Sequence, residues 1–319
     1  MVLAPLVDLD AIADDEPGYG RRRRGSGFSY HDAFGKPLGD ADVERIRSLA
    51  IPPAWEEVWI SPSADGYLQA TGIDAAGRKQ YRYHEGFREF CEQQKFDRLV
   101  YVARAVPLIR KGVADALAEP LGTREHAVGA AVRLIDECLL RVGNHQSAEK
   151  GHYGATTLTV EHVVSDGVVT LEYLAKSGQQ REVVVDDDEL AGILTALAED
   201  ADDELFWFDD GEDRRRAVAD DINRFIVEHA GSGFSAKDLR TWGGSSAALA
   251  ARAGGADILR SIDAAAEELG NTRTVARNSY VHPDVLSVDD DVIAEVWSTS
   301  RSSKWLDRSE SALAKLLGR

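Results

Sequence analysis

Four local signals in this sequence carry side chains suited to chemistry on an anionic group. Arg141 lies in Leu140-Arg141-Val142-Gly143-Asn144. Lys176 lies in Lys176-Ser177-Gly178. Arg240 lies in Lys237-Asp238-Leu239-Arg240-Thr241-Trp242, and Asn271 precedes Tyr280 by nine residues. Guanidiniums are planar, stay protonated and grip oxyanions with paired hydrogen bonds. An ammonium can give a proton, an amide can donate a hydrogen bond, and a phenol with a pKa of about 10 is a nucleophile once it loses its proton. Taken singly, each also has an ordinary structural reading. An arginine in a last helical turn complements the macrodipole, a hairpin lysine keeps a turn solvated, Lys237 and Arg240 fit a solvated helix start, and a tyrosine at a helix end is often half-buried packing.

The elements that must position these residues are legible from periodicity and turn chemistry. Val128, Val132, Ile135 and Leu139 repeat at helical spacing, with Thr123 as a cap and Gly143 suited to a C′ position. This predicts a helix over 124–142 that ends at Arg141. A three-strand meander follows over 157–163, 168–174 and 180–185, with turns at Ser165-Asp166-Gly167 and Lys176-Ser177-Gly178. Further helices are expected at 187–200, 214–229, 235–252, 256–269, 272–279 and 305–317. Upstream, a short helix at 40–50, N-capped by Asp40, ends at Pro52-Pro53. Strand-like pieces at 57–61, 67–73 and 79–84 are separated by turn residues. Residues 1–20 read as a solvated, disordered tail. They lead into the basic run Arg21-Arg22-Arg23-Arg24 and a Gly/Ser segment, which fits either phosphate tracking or plain solvation.

The chain has 319 residues, enough for about two domains. With 44% apolar and 8% aromatic residues it is globular, and no apolar run reaches the roughly 18 residues of a membrane helix. The first twenty residues lack a basic n-region, so a cytosolic protein is expected. Cys91 and Cys138 can form neither a disulfide framework nor a four-ligand zinc site, and their helical apolar patterns suggest small core hydrophobes. The net charge of −18 looks unfavourable for nucleic acid. However, residues 186–213 hold thirteen acids and residues 1–20 hold five, neither segment has a Lys or Arg, and together they account for the whole excess. The remainder is neutral and free to build a locally basic groove.

In this order and spacing the four signals resemble the active site of type IB DNA topoisomerases of the poxvirus-like bacterial branch. The likeness runs from about residue 25 to 285 and includes Gln80-Tyr81-Arg82-Tyr83. It implies an α+β fold: a small N-terminal mainly β-sheet domain plus a larger mainly α-helical catalytic domain with a three-stranded β-meander, the fold shared with tyrosine recombinases. Residues 1–24 would be a disordered acidic tail and Arg run, 25–95 the β-sheet clamp domain, and 96–319 the catalytic domain. It further implies transient cleavage of one strand of duplex DNA through a 3′-phosphotyrosyl link, strand rotation that relaxes supercoils, and religation, with no ATP, metal or other cofactor. Tyr280 would be the nucleophile, Arg141 and Arg240 would clamp the phosphate oxygens, Asn271 would stand where many relatives have histidine, and Lys176 would be the general acid, assisted by Lys237. Asparagine can donate a hydrogen bond but cannot titrate, so only electrostatic support is expected of it.

The resemblance also assigns DNA contacts to Gln80, Tyr81 and Tyr83, with Arg21, Arg22, Arg23 and Arg24 as further phosphate contacts. Period-2 alternation puts Tyr81 and Tyr83 on one face, with Gln80 and Arg82 on the other. The acidic 186–213 segment should lie away from DNA. A cytoplasmic, nucleoid-associated monomer closing as a clamp on duplex DNA is expected, with no membrane partner. Two alternatives stand beside this reading. A tyrosine recombinase shares the catalytic half, but usually has histidine three residues before the second arginine, where this chain has Lys237, and begins with a helical rather than a strand-rich domain. A non-catalytic DNA-binding protein would be expected to drift at Tyr280 or Arg141, and no member of the set is lost.

Overall fold

A computed structural model describes residues 9–319 and divides into two compact units, one ending at Lys95 and the other running from Phe96 to Arg319. The part of the expected tail before residue 9 lies outside the described residues.

The first unit is built on an antiparallel five-stranded sheet: β1 (Tyr19–Arg24), β2 (Gly27–His31), β3 (Glu56–Ile60), β4 (Leu68–Ile73) and β5 (Lys79–Tyr83), in the order β2-β1-β3-β4-β5. Helix α1 (Asp40–Ser48) contributes Ile46 to a small core with Ile60 and Ala70. The cap of α1 is Gly39 rather than Asp40, which forms the first helical turn. The basic run is not part of a disordered tail. Arg21–Arg24 form β1, paired residue for residue with β2. Arg21 turns inward and donates to the carbonyls of Ile51, Pro52 and Trp55, satisfying acceptors that the 51–55 turn would otherwise leave bare. Residues before β1 are also tied down. Asp14 accepts from Thr71 and pairs with Lys79, and Trp59 donates its indole N–H to the Glu16 carbonyl. The charges of this segment are matched to the sheet surface, which composition alone does not reveal.

The second unit starts with the end of α2 (Glu85–Asp97), then α3 (Leu99–Leu117), α4 (Arg124–Cys138) and the short α5 (His145–Ala148). The meander is β6 (Val163–Ser165), β7 (Val169–Ala175) and β8 (Gln179–Val184), with β7 central. Helix α6 (Asp188–Asp200) is followed by the ribbon β9 (Trp207–Asp209) and β10 (Arg214–Arg216). Then come α7 (Ala219–Ala230), α8 (Ala236–Ala253), α9 (Ile258–Leu269), α10 (Arg273–Ser279), α11 (Pro283–Ser287), α12 (Asp290–Thr299) and α13 (Arg308–Leu317).

The core explains this layout. Helix α4 is buried nearly all round, with every residue from His126 to Val132 inside, as befits a central helix. Helix α8 is the second central element. Its run Gly243-Gly244-Ser245-Ser246-Ala247-Ala248 is small, so neighbours approach closely. A Cβ at Gly244 would stand 2.7 Å from Leu269 Cδ1. Arg110 bridges α3 to its surroundings, donating to Asp136 at 2.6 Å and to Glu310 at 2.7 Å, while Trp242 donates to the same Glu310 at 2.9 Å. Burial would drive the Arg110 guanidinium toward neutrality, but the two carboxylates outweigh it and hold it charged.

Several boundaries differ from expectation. The helix expected to reach residue 142 stops at Cys138, because Leu139 turns into the left-handed region (φ 49°) to seat its side chain against Gly243. Arg141 therefore sits in an irregular segment and not in a last helical turn. Residues 157–163 are not the first strand. They form two single turns, stabilised by the Thr159 N–H donating to His162 Nδ1, and only Val163–Ser165 pairs with β7. Residues 214–216 are strand rather than the start of a helix. Arg214 reaches Asp200, Asp202 and Asp209, and Arg215 and Arg216 reach Asp210 and Glu204, so the acidic segment is partly neutralised by the three arginines after it. Cys91, expected in a core, is exposed, whereas Cys138 is partly buried and packs on the main core.

Candidate active site

Each candidate residue is held by its own local device. For Arg141, the backbone is pinned on both sides. Its carbonyl accepts from Ala155 N–H at 2.8 Å, and the Val142 carbonyl accepts from Thr156 N–H at 2.7 Å. This requires two chains to touch at Gly143 and Gly154, where a Cβ on Gly154 would stand 2.7 Å from the Gly143 backbone, and Gly143 has φ 103°. Arg240 follows the N-terminal capping box of α8, in which Asp238 accepts from the N–H and hydroxyl of Ser235 at 2.9 and 2.8 Å and also from Arg98 at 2.6 Å. Asn271 follows a Schellman ending of α9: Gly270 takes the left-handed conformation, its N–H donates to Glu267 O at 3.0 Å, and Asn271 N–H donates to Ala266 O at 2.9 Å.

Tyr280 caps α10, whose start is held by Thr272. Its carbonyl accepts from the buried Ser245 hydroxyl at 3.0 Å, and the same hydroxyl accepts from His282 N–H at 3.0 Å. Ser245 thus fixes the backbone that presents the phenol.

These devices bring four side chains together. Arg141 Nη2 donates to Asn271 Oδ1. The Arg240 guanidinium carbon lies 5.1 Å from the centre of the Tyr280 ring, and Arg240 Nη2 donates to Leu269 O at 3.3 Å. Arg240 is only 3% exposed, yet among the described residues its Nε and Nη1 find no hydrogen-bond partner, and neither does the buried Nδ2 of Asn271. Buried donors are normally satisfied, and leaving one bare costs about 1–3 kcal/mol. Among the described residues, Arg141, Lys176, Lys237 and Arg240 form no ion pair with any carboxylate. By contrast, Arg110 and Arg133 hold two and three acids respectively. Buried guanidinium donors without carboxylate partners suit an anionic ligand.

The electrostatics act on the phenol. Burial pushes the Tyr280 hydroxyl up, but Arg240, Arg141 and Lys237 outweigh it and leave it below the usual tyrosine value. Burial, aided by Arg141, pulls the Arg240 guanidinium below the ordinary arginine value, and it remains a cation at neutral pH. Lys237 is exposed on the first turn of α8. Lys176 stands exposed where β7 gives way to the hairpin turn, just after the buried Ala175, and among the described residues it makes no side-chain hydrogen bond or ion pair. Among the described residues, no hydrogen bond or ion pair joins it to the cluster of four. Two residues went unnoticed in the sequence. Arg181 and Tyr173, direct partners across β7 and β8, line a small recess with Arg141 and Arg240.

Comparison with known proteins decides what family carries this arrangement. Residues 27–74 match the model of the bacterial DNA topoisomerase IB N-terminal domain, and residues 84–295 match that of the eukaryotic DNA topoisomerase I catalytic core. A DNA topoisomerase 1B from Acanthamoeba polyphaga mimivirus is 32% identical over 234 residues, which cover 71% of this chain and 70% of the viral protein. The chain belongs to the type IB DNA topoisomerase family. It is thus an enzyme of that class, and neither the recombinase nor the non-catalytic alternative is retained. All five candidate catalytic residues and Lys237 fall within the region matched to the topoisomerase catalytic core.

The candidate DNA-contact residues lie in the first unit. Tyr81 and Tyr83 are 46% and 39% exposed, and their rings stack with centres 5.9 Å apart. Tyr67 and Phe87 extend the aromatic strip, and Lys79 lies over Tyr81. Gln80 faces the other way and donates to Asp74 at 3.0 Å. Of the basic run, Arg22, Arg23 and Arg24 are exposed and free of carboxylates, whereas Arg21 is engaged with backbone carbonyls.

Proposed function

We propose that this topoisomerase relaxes supercoiled duplex DNA by attack of Tyr280 on a backbone phosphodiester. A bond forms between the phenol oxygen and phosphorus as the bond from phosphorus to the 5′-oxygen breaks. The phenol proton passes to water, and the departing 5′-oxygen takes a proton from the Lys176 ammonium, which Lys237 assists. The free strand end then rotates about the intact strand, and the reverse steps reseal it without ATP. The observation that carries this reading is the set of buried donors left unpaired beside Tyr280: Arg240 Nε and Nη1 and Asn271 Nδ2, with Arg141 on Asn271. They would take up the charge that grows on the two non-bridging oxygens in the transition state. A general acid suits an alkoxide leaving group, for which such proton transfer is worth about 10²–10⁴ in rate. The exposed ammonium of Lys176 on a two-stranded hairpin suits a group that meets its substrate only when DNA is bound.

The decisive experiment is relaxation of a plasmid with no recombination site, with ATP omitted and chelator present, followed by mapping of the DNA-linked peptide. Supercoil relaxation with the adduct on the peptide containing Tyr280 is expected. Adduct on another residue, or relaxation that chelator abolishes, would defeat the reading.

In the first unit, the stacked Tyr81 and Tyr83 with Lys79 and the exposed Arg22, Arg23 and Arg24 would meet the duplex, mainly at its phosphates. Binding should therefore weaken with salt, log K falling by about 0.9 per neutralised phosphate per decade of salt. Titration of a labelled duplex at several salt concentrations measures the slope. A flat dependence would show that phosphate contacts do not carry the affinity. The protein is expected to act as a monomer on chromosomal DNA in the cytoplasm.

A further inference from the structure

Arg181 has no role in the reaction described above, yet its placement is specific. It sits on β8, five residues after Lys176, on the same arm-to-arm ladder that closes the hairpin: Ala175 pairs with Gln179, Leu174 with Gln180 and Tyr173 with Arg181. Its guanidinium leaves the sheet and reaches the end of α9, where it donates to Glu267 O at 3.2 Å and Glu268 O at 3.3 Å. Glu267 O already accepts from Gly270 N–H and takes Arg181 as a second donor, Glu268 O lies in the last turn where carbonyls lack intrahelical donors, and a cation there also meets the negative end of the helix dipole. The fit is close. A Cβ on Gly270 would fall inside the Arg181 guanidinium, so the glycine that ends α9 also makes room for the arginine. The next residue is Asn271, which accepts from Arg141.

The two sides of this contact are not equally secure. The end of α9 has other ties: the two Schellman bonds, the Arg240 donation to Leu269 O, and the Arg141–Asn271 bond. On the hairpin side, β7 is packed by Val169, Leu171, Tyr173 and Ala175 and anchored by Tyr153 N–H donating to Leu174 O at 2.8 Å. Among the described residues, strand β8 is an edge strand paired with β7 alone, and Lys176 makes no hydrogen bond or ion pair that would locate it. Among the described residues, the side-chain hydrogen bonds from β8 to the end of α9 come from Arg181.

We propose that Arg181 is a positioning residue for Lys176: by hooking β8 onto the last carbonyls of α9, it sets where the hairpin tip can deliver the ammonium. This rests on the reading of Lys176 as general acid. A displacement of about 1 Å in a reacting group can cost about 10²-fold. The loss of Arg181 should therefore appear in the step that needs Lys176 and spare the steps that do not.

The test uses the full chain under single-turnover conditions on a duplex at which the wild type forms its covalent adduct. One substrate has the natural 5′-bridging oxygen. The other has sulfur there, whose thiolate, with a thiol pKa of about 8.5, departs without a proton donor. Arg181→Ala is expected to slow cleavage of the oxygen substrate by about 10- to 10²-fold and to cleave the sulfur substrate near the wild-type rate. Arg181→Lys, which can still reach a helix-end carbonyl, should recover much of the loss and show the same sulfur rescue. Lys176→Ala is run beside them. If sulfur rescues Lys176→Ala but not Arg181→Ala or Arg181→Lys, the positioning role is wrong and the general acid stands. If sulfur fails to rescue Lys176→Ala, the general-acid reading itself falls and the proposal with it. Wild-type rates for Arg181→Ala on the oxygen substrate would also overturn it.

Discussion

Tyr280→Phe is expected to abolish both the covalent adduct and supercoil relaxation, while affinity for duplex DNA stays within a few-fold of wild type. The ring is kept, so the packing against Arg240 and the Ser245 bond to the residue 280 carbonyl are preserved. Only the phenol oxygen, the proposed nucleophile, is lost. A competing phenol is Tyr173, which is buried and feels Arg181 as well as Arg240 and Arg141. The two differ in electrostatic outcome. At Tyr173 burial dominates and holds the hydroxyl above the usual tyrosine value, whereas at Tyr280 the cations win and hold it below. Tyr173 is also fixed on the central strand of the meander, 5% exposed, while Tyr280 caps a short helix. Denaturing gels of protein trapped on nicked DNA give the answer. A shifted band that persists in Tyr280→Phe would move the nucleophile elsewhere, and Tyr173→Phe should keep the band.

Much of the frame around this phenol is legible in the sequence because its causes are local. Asp187 before an apolar-periodic run, Ser235 three residues before Asp238, Thr272 at the start of α10 and Gly270 at the end of α9 each announce a helix boundary through their own side chain or lack of one. What cannot be read is caused by partners distant in the chain. The premature end of α4 follows from Leu139 filling the space above Gly243, about a hundred residues away. Arg21–Arg24 are a strand through their pairing with β2, but the inward turn of Arg21 follows from carbonyls at 51–55 that accept from it. The acids of 186–213 look like a free charge run until Arg214, Arg215 and Arg216 fold back onto them. The site shows the same division. The resemblance names Arg141, Arg240, Asn271 and Tyr280, but the Arg141–Asn271 bond spans 130 residues and no spacing rule predicts it. Arg181 escapes notice because an arginine on an edge strand reads as solvated surface until the Gly270 turn is placed beneath it.

Replacing either guanidinium should slow cleavage by orders of magnitude, and unequally. Loss of one preorganised donor to a developing oxyanion costs about 10²–10³ in rate. Arg240→Ala is expected at the upper end. Its Nε and Nη1 are buried, unpaired and therefore available to the phosphate, and the same group stands over the Tyr280 ring, so one substitution removes both the clamp and the main cation that favours the phenolate. Arg141→Ala should fall lower, because Arg141 is only partly buried and acts on the phenol second to Arg240. The pH dependence separates the two effects. Burial raises the phenol and the cations lower it, so removing a cation moves its ionisation upward. The rising limb of the cleavage rate against pH should shift to higher pH in both variants, and further in Arg240→Ala. Arg240→Lys should restore charge better than geometry, recovering part of the pH shift but little of the rate, since an ammonium lacks the planar fork. Arg141 has a further effect through its amide partner. Without it, Asn271 Oδ1 loses its donor, and nothing holds Nδ2 toward the phosphate. Arg141→Ala and Asn271→Ala should therefore be less than additive, the double variant being faster than the product of the two single losses. Single-turnover rates across pH test all of this. Near-normal cleavage in either arginine variant would contradict a clamp on the phosphate, and full additivity with Asn271→Ala would mean that the amide takes its orientation from something other than Arg141.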